Sequence, residues 1–300
     1  MQTSAEMLFG IGLGLFTALL WAISTNVYKS QSNEATPLAI TSLKMWLALV
    51  FMSIIVVLPF RTAPFYIPLD SLLYLVASVT VGLIVGDIIY LISQQRIGVS
   101  YAFPISNIFP ITTYILAIFL VGEEVVAGRF LGVGIAVAGV ALISNEQNSE
   151  QTSRERPRKD LLGIGLAITA ALCWTFGTVF LQIGVTGVDP LDATYIRILF
   201  GSAILVPVYL GARRGGMSAP TEKATKIVLL GSLLGMSLGT LFYTITVKIT
   251  GAAIAALLGS SSPLFALPIS MAFLRERPTY KAGIGVLLTV LGITLVVVSV

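Results

Sequence analysis

Three ionisable residues, Lys44, Asp87 and Arg197, stand inside stretches that are otherwise apolar. A charge in the middle of a bilayer costs about 3 kcal/mol on insertion scales, so such a group must face a partner or a watery cavity. Lys44 comes seven residues after Pro37, near the start of one apolar run, and Asp87 nine residues before Arg96, near the end of the next. At about 1.5 Å per helical residue these positions lie about 10 Å and about 13 Å from one face, close enough in depth to pair. Such a pair suits a proton relay or a buried structural bridge, and Lys44 alone could instead snorkel to the surface. Arg197 has Asp192 five positions before it, off the three-or-four spacing that aligns side chains on a helix. A guanidinium so placed can take a carboxylate in a two-pronged hydrogen bond. Bonding to Asp192 or Asp189 near the surface is the alternative.

Other residues gather around prolines. Pro104 and Pro110 interrupt one apolar run, Pro263 and Pro268 another, and each proline frees a backbone carbonyl and bends a helix. Near Pro110 lie Ser106, Asn107, Thr112 and Thr113; near Pro263 lie Ser260, Ser261 and Ser262. These groups either bind a ligand or satisfy the freed carbonyls, with Asn107 and Ser260 the best candidates for a cavity wall. Trp21, Trp174, Tyr90 and Tyr243 are amphipathic rings that stack on a ligand or simply pack; Tyr101 and Asn26 are weaker candidates. Glu123 and Glu276, beside Arg129 and Arg277, read as hydrated turn anchors rather than proton carriers.

The elements that must carry these residues are set by composition and repetition. With 56% hydrophobic and 11% charged residues the chain is far from the roughly 25% charge of a soluble domain. It is expected to be an all-α integral membrane protein. Without histidine, and with Cys173 as the one cysteine, zinc, haem and disulfide schemes fall away, and no cofactor or metal is implied. Gly132-Val133-Gly134 and Gly283-Ile284-Gly285 lie within apolar helices with no preceding strand, so they read as helix-packing surfaces and not as nucleotide loops. Leu8 to Tyr28 has no basic leader or cleavage site, which favours a retained helix over a signal peptide.

A constant offset of 153 positions matches Gly10 to Gly163, Trp21 to Trp174, Pro37 to Pro190, Gly82 to Gly235, Gly86 to Gly239, Tyr90 to Tyr243, Gly98 to Gly251, Pro110 to Pro263 and Glu123 to Glu276. The chain is a duplicated unit. A hydrocarbon core of about 30 Å needs about 20 helical residues, which divides the first half into Leu8–Tyr28, Pro37–Leu58, Leu69–Ile92, Val99–Val121 and Ala127–Ser144. The second half becomes Leu161–Leu181, Pro190–Leu210, Lys226–Val247, Ala252–Leu274 and Tyr280–Val298. The expected organisation is therefore one repeat over 1–144, a polar linker over 145–160 and a second repeat over 161–300. Five spans per repeat is odd, so ten transmembrane helices form two inverted repeats, with sites expected near the midplane.

Basic residues set the orientation. The linker face carries thirteen of them, namely Lys29, Arg96, Arg154, Arg156, Arg158, Lys159, Arg213, Arg214, Lys223, Lys226, Arg275, Arg277 and Lys281; the other face carries Arg61, Arg129 and Lys248. The excess predicts a cytoplasmic linker with both termini outside. Bases scattered over short loops imply lipid contact and no nucleic-acid partner.

Each half reads as a Gly-rich first helix ending in Leu20-Trp21-Ala22 or Cys173-Trp174-Thr175, then Gly98 to Ala102 or Gly251 to Ala255, then Pro110 or Pro263, then Phe119-Leu120-Val121-Gly122-Glu123 or Phe273-Leu274-Arg275-Glu276-Arg277. This pattern resembles the drug/metabolite transporter superfamily, in its EamA-type ten-helix form, over essentially the whole chain. The resemblance implies a carrier of small metabolites in the cell membrane, often an exporter of amino acids, with a central cavity. Two departures stand out: Arg275-Glu276-Arg277 replaces the more usual Gly-Glu, and many relatives resemble proteins with cytoplasmic termini. With no ATP-binding motif, direction must come from a proton gradient through Asp87 or from exchange. Alternatives are a carrier of drugs or sugar derivatives, or a scaffold or sensor that moves nothing. The missing histidine and carboxylate clusters argue against an enzyme.

Overall fold

The computed structural model describes residues 4–30, 34–57, 65–149, 160–265 and 280–299. The chain opens with α1 (Ser4–Ser30) and α2 (Pro37–Val57). A composite third crossing comes next: α3 (Leu69–Ser78), a π-helical stretch over Val79–Gly86, and α4 (Asp87–Ile97). After it stand α5 (Val99–Ser106), α6 (Phe109–Val121) and α7 (Ala127–Ser149). The second half repeats that order with α8 (Leu161–Val185), α9 (Pro190–Arg214), α10 (Glu222–Gly231), a second π stretch over Ser232–Gly239, and α11 (Thr240–Thr250). It ends with α12 (Ala252–Ser260) and α13 (Tyr280–Val298). Among the described residues nine helices are long and apolar enough to cross a bilayer, and Ala252–Phe265 is a shorter apolar helix. The chain is a two-repeat, all-helical membrane fold, the form in which backbone polar groups are satisfied without water.

Local chemistry sets the ends. Pro37 and Pro190 open α2 and α9, where a missing N–H is harmless. Asp160 accepts from the N–H groups of Leu162 and Gly163 to cap α8, and Thr221 accepts from Ala224 to cap α10. Gly98 and Gly251 close the third crossing of each half at φ +77° and φ +84°, a region open to glycine and strained for other residues. Because Gly98 supplies the stop, the polar run Ser93 to Arg96 stays helical, and the crossing extends to Ile97, beyond the expected Ile92. Likewise α8 runs on to Val185, and the eighth crossing begins at Glu222. Residues 150–159, 266–279, Arg61 and the side chain of Asn26 lie outside the described residues, and with them Arg154, Arg156, Arg158, Lys159, Pro268, Arg275, Glu276 and Arg277.

The two halves interlock. Helix α1 lies along the second π stretch and α11, while α8 lies along α3, the first π stretch and α4. Glycines make these approaches possible: a Cβ at Gly10 would stand 2.7 Å from Ile249, and one at Gly163 would stand 2.4 Å from Ile97. A further seam joins α7 to α13, where Gly139 meets the Gly285 carbonyl and Gly132 meets that of Gly292. Small residues on both sides let the backbones touch, which gives dispersion contact where lipid offers no hydrophobic drive. Helices α2 and α9 are tied at the centre, with the Trp46 indole donating to the Ser202 carbonyl at 3.1 Å and the Ser202 hydroxyl to that of Met45 at 3.2 Å.

Candidate functional site

The two π stretches occupy matched places in the repeat, and each ends one residue before Asp87 or its mate Thr240. A π turn adds one residue to the helical ladder, so the residues beyond it are turned by about 100° relative to an uninterrupted helix. Glycines in the first stretch then admit α8. The Gly82 Cα stands 2.7 Å from where a Gly177 Cβ would lie, and the Ser78 hydroxyl donates to the Gly177 carbonyl at 2.6 Å. One turn on, the open face of Gly86 receives the Trp174 indole.

Asp87 consequently meets two donors. Its Oδ2 bonds Lys44 Nζ, and its Oδ1 accepts from Trp174 Nε1 at 2.9 Å. The side chains of Lys44 and Asp87 keep 10% and 18% of their exposure, so this pair is largely shielded. Lys44 also lies over the Tyr28 ring, 5.7 Å from its centroid, and the Ser232 hydroxyl fixes its backbone carbonyl at 2.6 Å. Trp174 packs against Tyr90 at 4.9 Å and edge-on against Phe109 at 5.8 Å. Lys44, Asp87, Trp174 and Tyr90 thus come together, with Tyr28 as a member that sequence reasoning missed. Its signal was the seven-residue spacing from Trp21, which puts both rings on one face of α1.

Among the described residues the matching cluster in the second half has no carboxylate. Trp21 Nε1 donates to the Gly235 carbonyl at 3.1 Å, and its ring lies 4.9 Å from Tyr243. The Tyr243 hydroxyl shares a 3.0 Å hydrogen bond with Thr178. Arg197 is 3% exposed; its Nη1 donates to Thr244 Oγ1 at 3.5 Å, and among the described residues its buried Nε has no partner. A buried guanidinium with its fork unfilled is a strong anion receptor. Thr178 showed in the sequence only as the mate of Thr25 at the 153-residue offset, and Thr244, a lone threonine on an apolar helix, carried no signal.

The proline-linked groups divide. The fourth crossing breaks at Asn107, with Pro110 in the first turn of α6, and the ninth turns at Ser261 just before Pro263. Ser262 donates to the Gly259 carbonyl at 3.0 Å, the group that Pro263 leaves free, and Ser260 donates to Leu257 at 2.8 Å. These hydroxyls serve the backbone. Asn107, 2% exposed, keeps Nδ2 without a partner among the described residues and remains the better candidate for a ligand. Tyr101 faces outward.

Glu123 departs from the hydrated anchor expected. Its Oε1 is buried and stands 2.7 Å from where a Gly251 Cβ would lie, at the start of α12. Burial raises its pKa above the ordinary carboxylate range, opposed by the Ala253 N–H, Arg129, the Ala252 N–H and Gln182. On the linker face, Arg96 Nε bonds Asp160 Oδ2 at 2.7 Å and holds that carboxyl below its usual range.

Interlocked helical halves, broken helices and buried charged groups make a multi-pass membrane protein, and the family match makes it a transporter and not an enzyme. Residues 8–145 and 161–298 each match the EamA-like transporter family, and the chain belongs to that family within the drug/metabolite transporter superfamily. It is 22% identical over 286 residues to an uncharacterized transporter of Archaeoglobus fulgidus, covering 94% of this chain and 96% of the relative. A protein of known crystal structure shares the fold with a TM-score of 0.77 at 15% identity, covering 98% of each chain.

Proposed function

We propose that this transporter exports small polar or amphipathic metabolites, amino acids foremost, across the cell membrane by alternating access. Arg197 carries the reading: it receives the substrate carboxylate, because among the described residues its buried Nε lacks a partner and its Nη1 makes a long contact to Thr244. Trp21, Tyr243, Trp174, Tyr90, Asn107 and Ser260 bound the path, and Pro110 and Pro263 mark the helix breaks that let it open. Asp87 carries the coupling proton and releases Lys44 when neutral. The repeats, over 1–144 and 161–300, run in opposite directions through the bilayer, with the linker cytoplasmic and the termini outside. Placement of Arg96 beside Asp160 is consistent with a single basic face.

The test uses the full chain in proteoliposomes with radiolabelled amino acids, with and without a pH gradient. Arg197→Ala is expected to abolish flux of carboxylated substrates in a protein that remains folded, and Arg197→Lys to restore only part of it, since a point charge lacks the fork. Undiminished flux through Arg197→Ala would sink the reading.

A further inference from the structure

Asp87 and its mate Thr240 differ in charge, and Lys44 and Tyr28 stand beside the acid alone, yet the frame of tryptophan, glycine and tyrosine around the two is alike. The indoles of Trp174 and Trp21 rest on matched glycines: Nε1 of Trp174 is 3.1 Å from a Cβ built on Gly86, and Nε1 of Trp21 is 2.9 Å from one built on Gly239. Both rings pack, tilted, against matched tyrosines at 4.9 Å. Within that frame the acceptor of the indole differs. Trp21 donates to the Gly235 carbonyl, which the Thr240 hydroxyl also faces at 3.4 Å. Trp174 donates instead to Asp87, and Gly82, the mate of Gly235, receives no side-chain hydrogen bond among the described residues.

A protonated carboxyl resembles the Thr240 side chain in the respect that matters: it is neutral and has an O–H to donate. The second half therefore displays the hydrogen bonds open to the first half once Asp87 is neutral. We propose that Trp174 is a positioning residue that holds Asp87 as a carboxylate against Lys44. When Asp87 takes a proton from water, the indole N–H and the new carboxyl O–H pass to the Gly82 carbonyl, reproducing Trp21 and Thr240 on Gly235. The groups facing Asp87 are Lys44 from α2, Tyr28 from α1, Trp174 from α8 and Tyr90 on its own helix. Of these Lys44 loses its counter-charge in the exchange and becomes the free cation of the site. The inference rests on the reading of Asp87 as the proton carrier, and it gives Trp174 a role separate from stacking on substrate.

The test needs no substrate. In the full chain in lipid nanodiscs, indole N–H signals are assigned with Trp21→Phe, Trp46→Phe and Trp174→Phe, and the Asp87 carboxyl carbon is followed through a pH titration. The Trp174 signal is expected to move with the same midpoint as Asp87 while those of Trp21 and Trp46 stay still. In Asp87→Thr, or Asp87→Asn where the former folds poorly, the Trp174 signal no longer responds to pH, and with threonine it approaches that of Trp21. Trp174→Phe keeps the packing and removes a donor to the charged form, so the Asp87 midpoint shifts. Trp21→Phe leaves that midpoint in place, which a generic packing defect would not. Titration of Asp87 with a motionless Trp174 overturns the exchange alone; an Asp87 that never titrates overturns both the exchange and the proton role.

Discussion

Breaking the Lys44–Asp87 pair from either side tests whether it is one unit. Both side chains are largely shielded, at 10% and 18% exposure, so removing one charge strands the other in a poorly solvated place. Such a loss costs about 3 kcal/mol, whereas replacing both charges by groups of similar size is close to neutral. In Asp87→Asn the amide oxygen can still accept from Trp174, but Lys44 keeps only the Tyr28 ring face at 5.7 Å. In Lys44→Met the carboxylate retains the Trp174 N–H but loses its counter-charge. Independent effects would sum to about 6 kcal/mol in the double variant; a true pair leaves it within about 1 kcal/mol of wild type. The assay is reversible unfolding in mixed micelles by titration with SDS, at neutral and acid pH. A double variant as unstable as the sum of the singles would refute the reasoning, as would single variants that differ little from wild type.

Two further substitutions probe other parts of the fold. Gly177→Ala places a Cβ 2.7 Å from the Gly82 Cα and 3.2 Å from the Ser78 carbonyl, both backbone, so α8 must move off the π stretch. A loss of about 1–3 kcal/mol is expected in the same unfolding assay, together with weakened Trp174–Asp87 contact. For Glu123 the folded state holds the proton more tightly than the unfolded chain, because burial raises its pKa. Between the ordinary carboxylate range and that raised value, stability therefore falls as pH rises. Thermal unfolding against pH should show this slope in wild type and its loss in Glu123→Gln; parallel curves would contradict it.

Much of the architecture was written in the residue pattern because it depends on length, apolarity and punctuation. Pro37, Pro190, Gly98 and Gly251 mark ends in the structure as they do in the sequence, and the 153-residue register reappears in matched helices and matched positive-φ glycines. The pairing of Lys44 with Asp87 was readable from depth alone, since two opposite charges on one side of a bilayer have few other partners. What could not be read was anything decided between the halves. That α1 lies on the third crossing of the other repeat, and α8 on that of the first, is set by glycine faces whose partners are distant in sequence. The Trp174–Asp87 bond results from that interlocking, so a tryptophan read as packing or stacking turned out to donate to the one acid inside a span that the sequence had singled out. Glu123 was misjudged for the same reason: its neighbours Gly251 and Gln182 come from another repeat and supply burial where local sequence suggests water. The π stretches are marked in the sequence only by their matched glycine pairs, Gly82 with Gly86 and Gly235 with Gly239, a spacing that close helix packing alone would also explain.

Those stretches separate shape from chemistry. Val79–Gly86 and Ser232–Gly239 are of equal length and fall at equivalent places in the two halves. The bend therefore belongs to the repeated unit and not to either half alone. What stands at its end differs, an acid at Asp87 and a hydroxyl at Thr240. One backbone shape thus presents a charge in one half and a neutral group in the other.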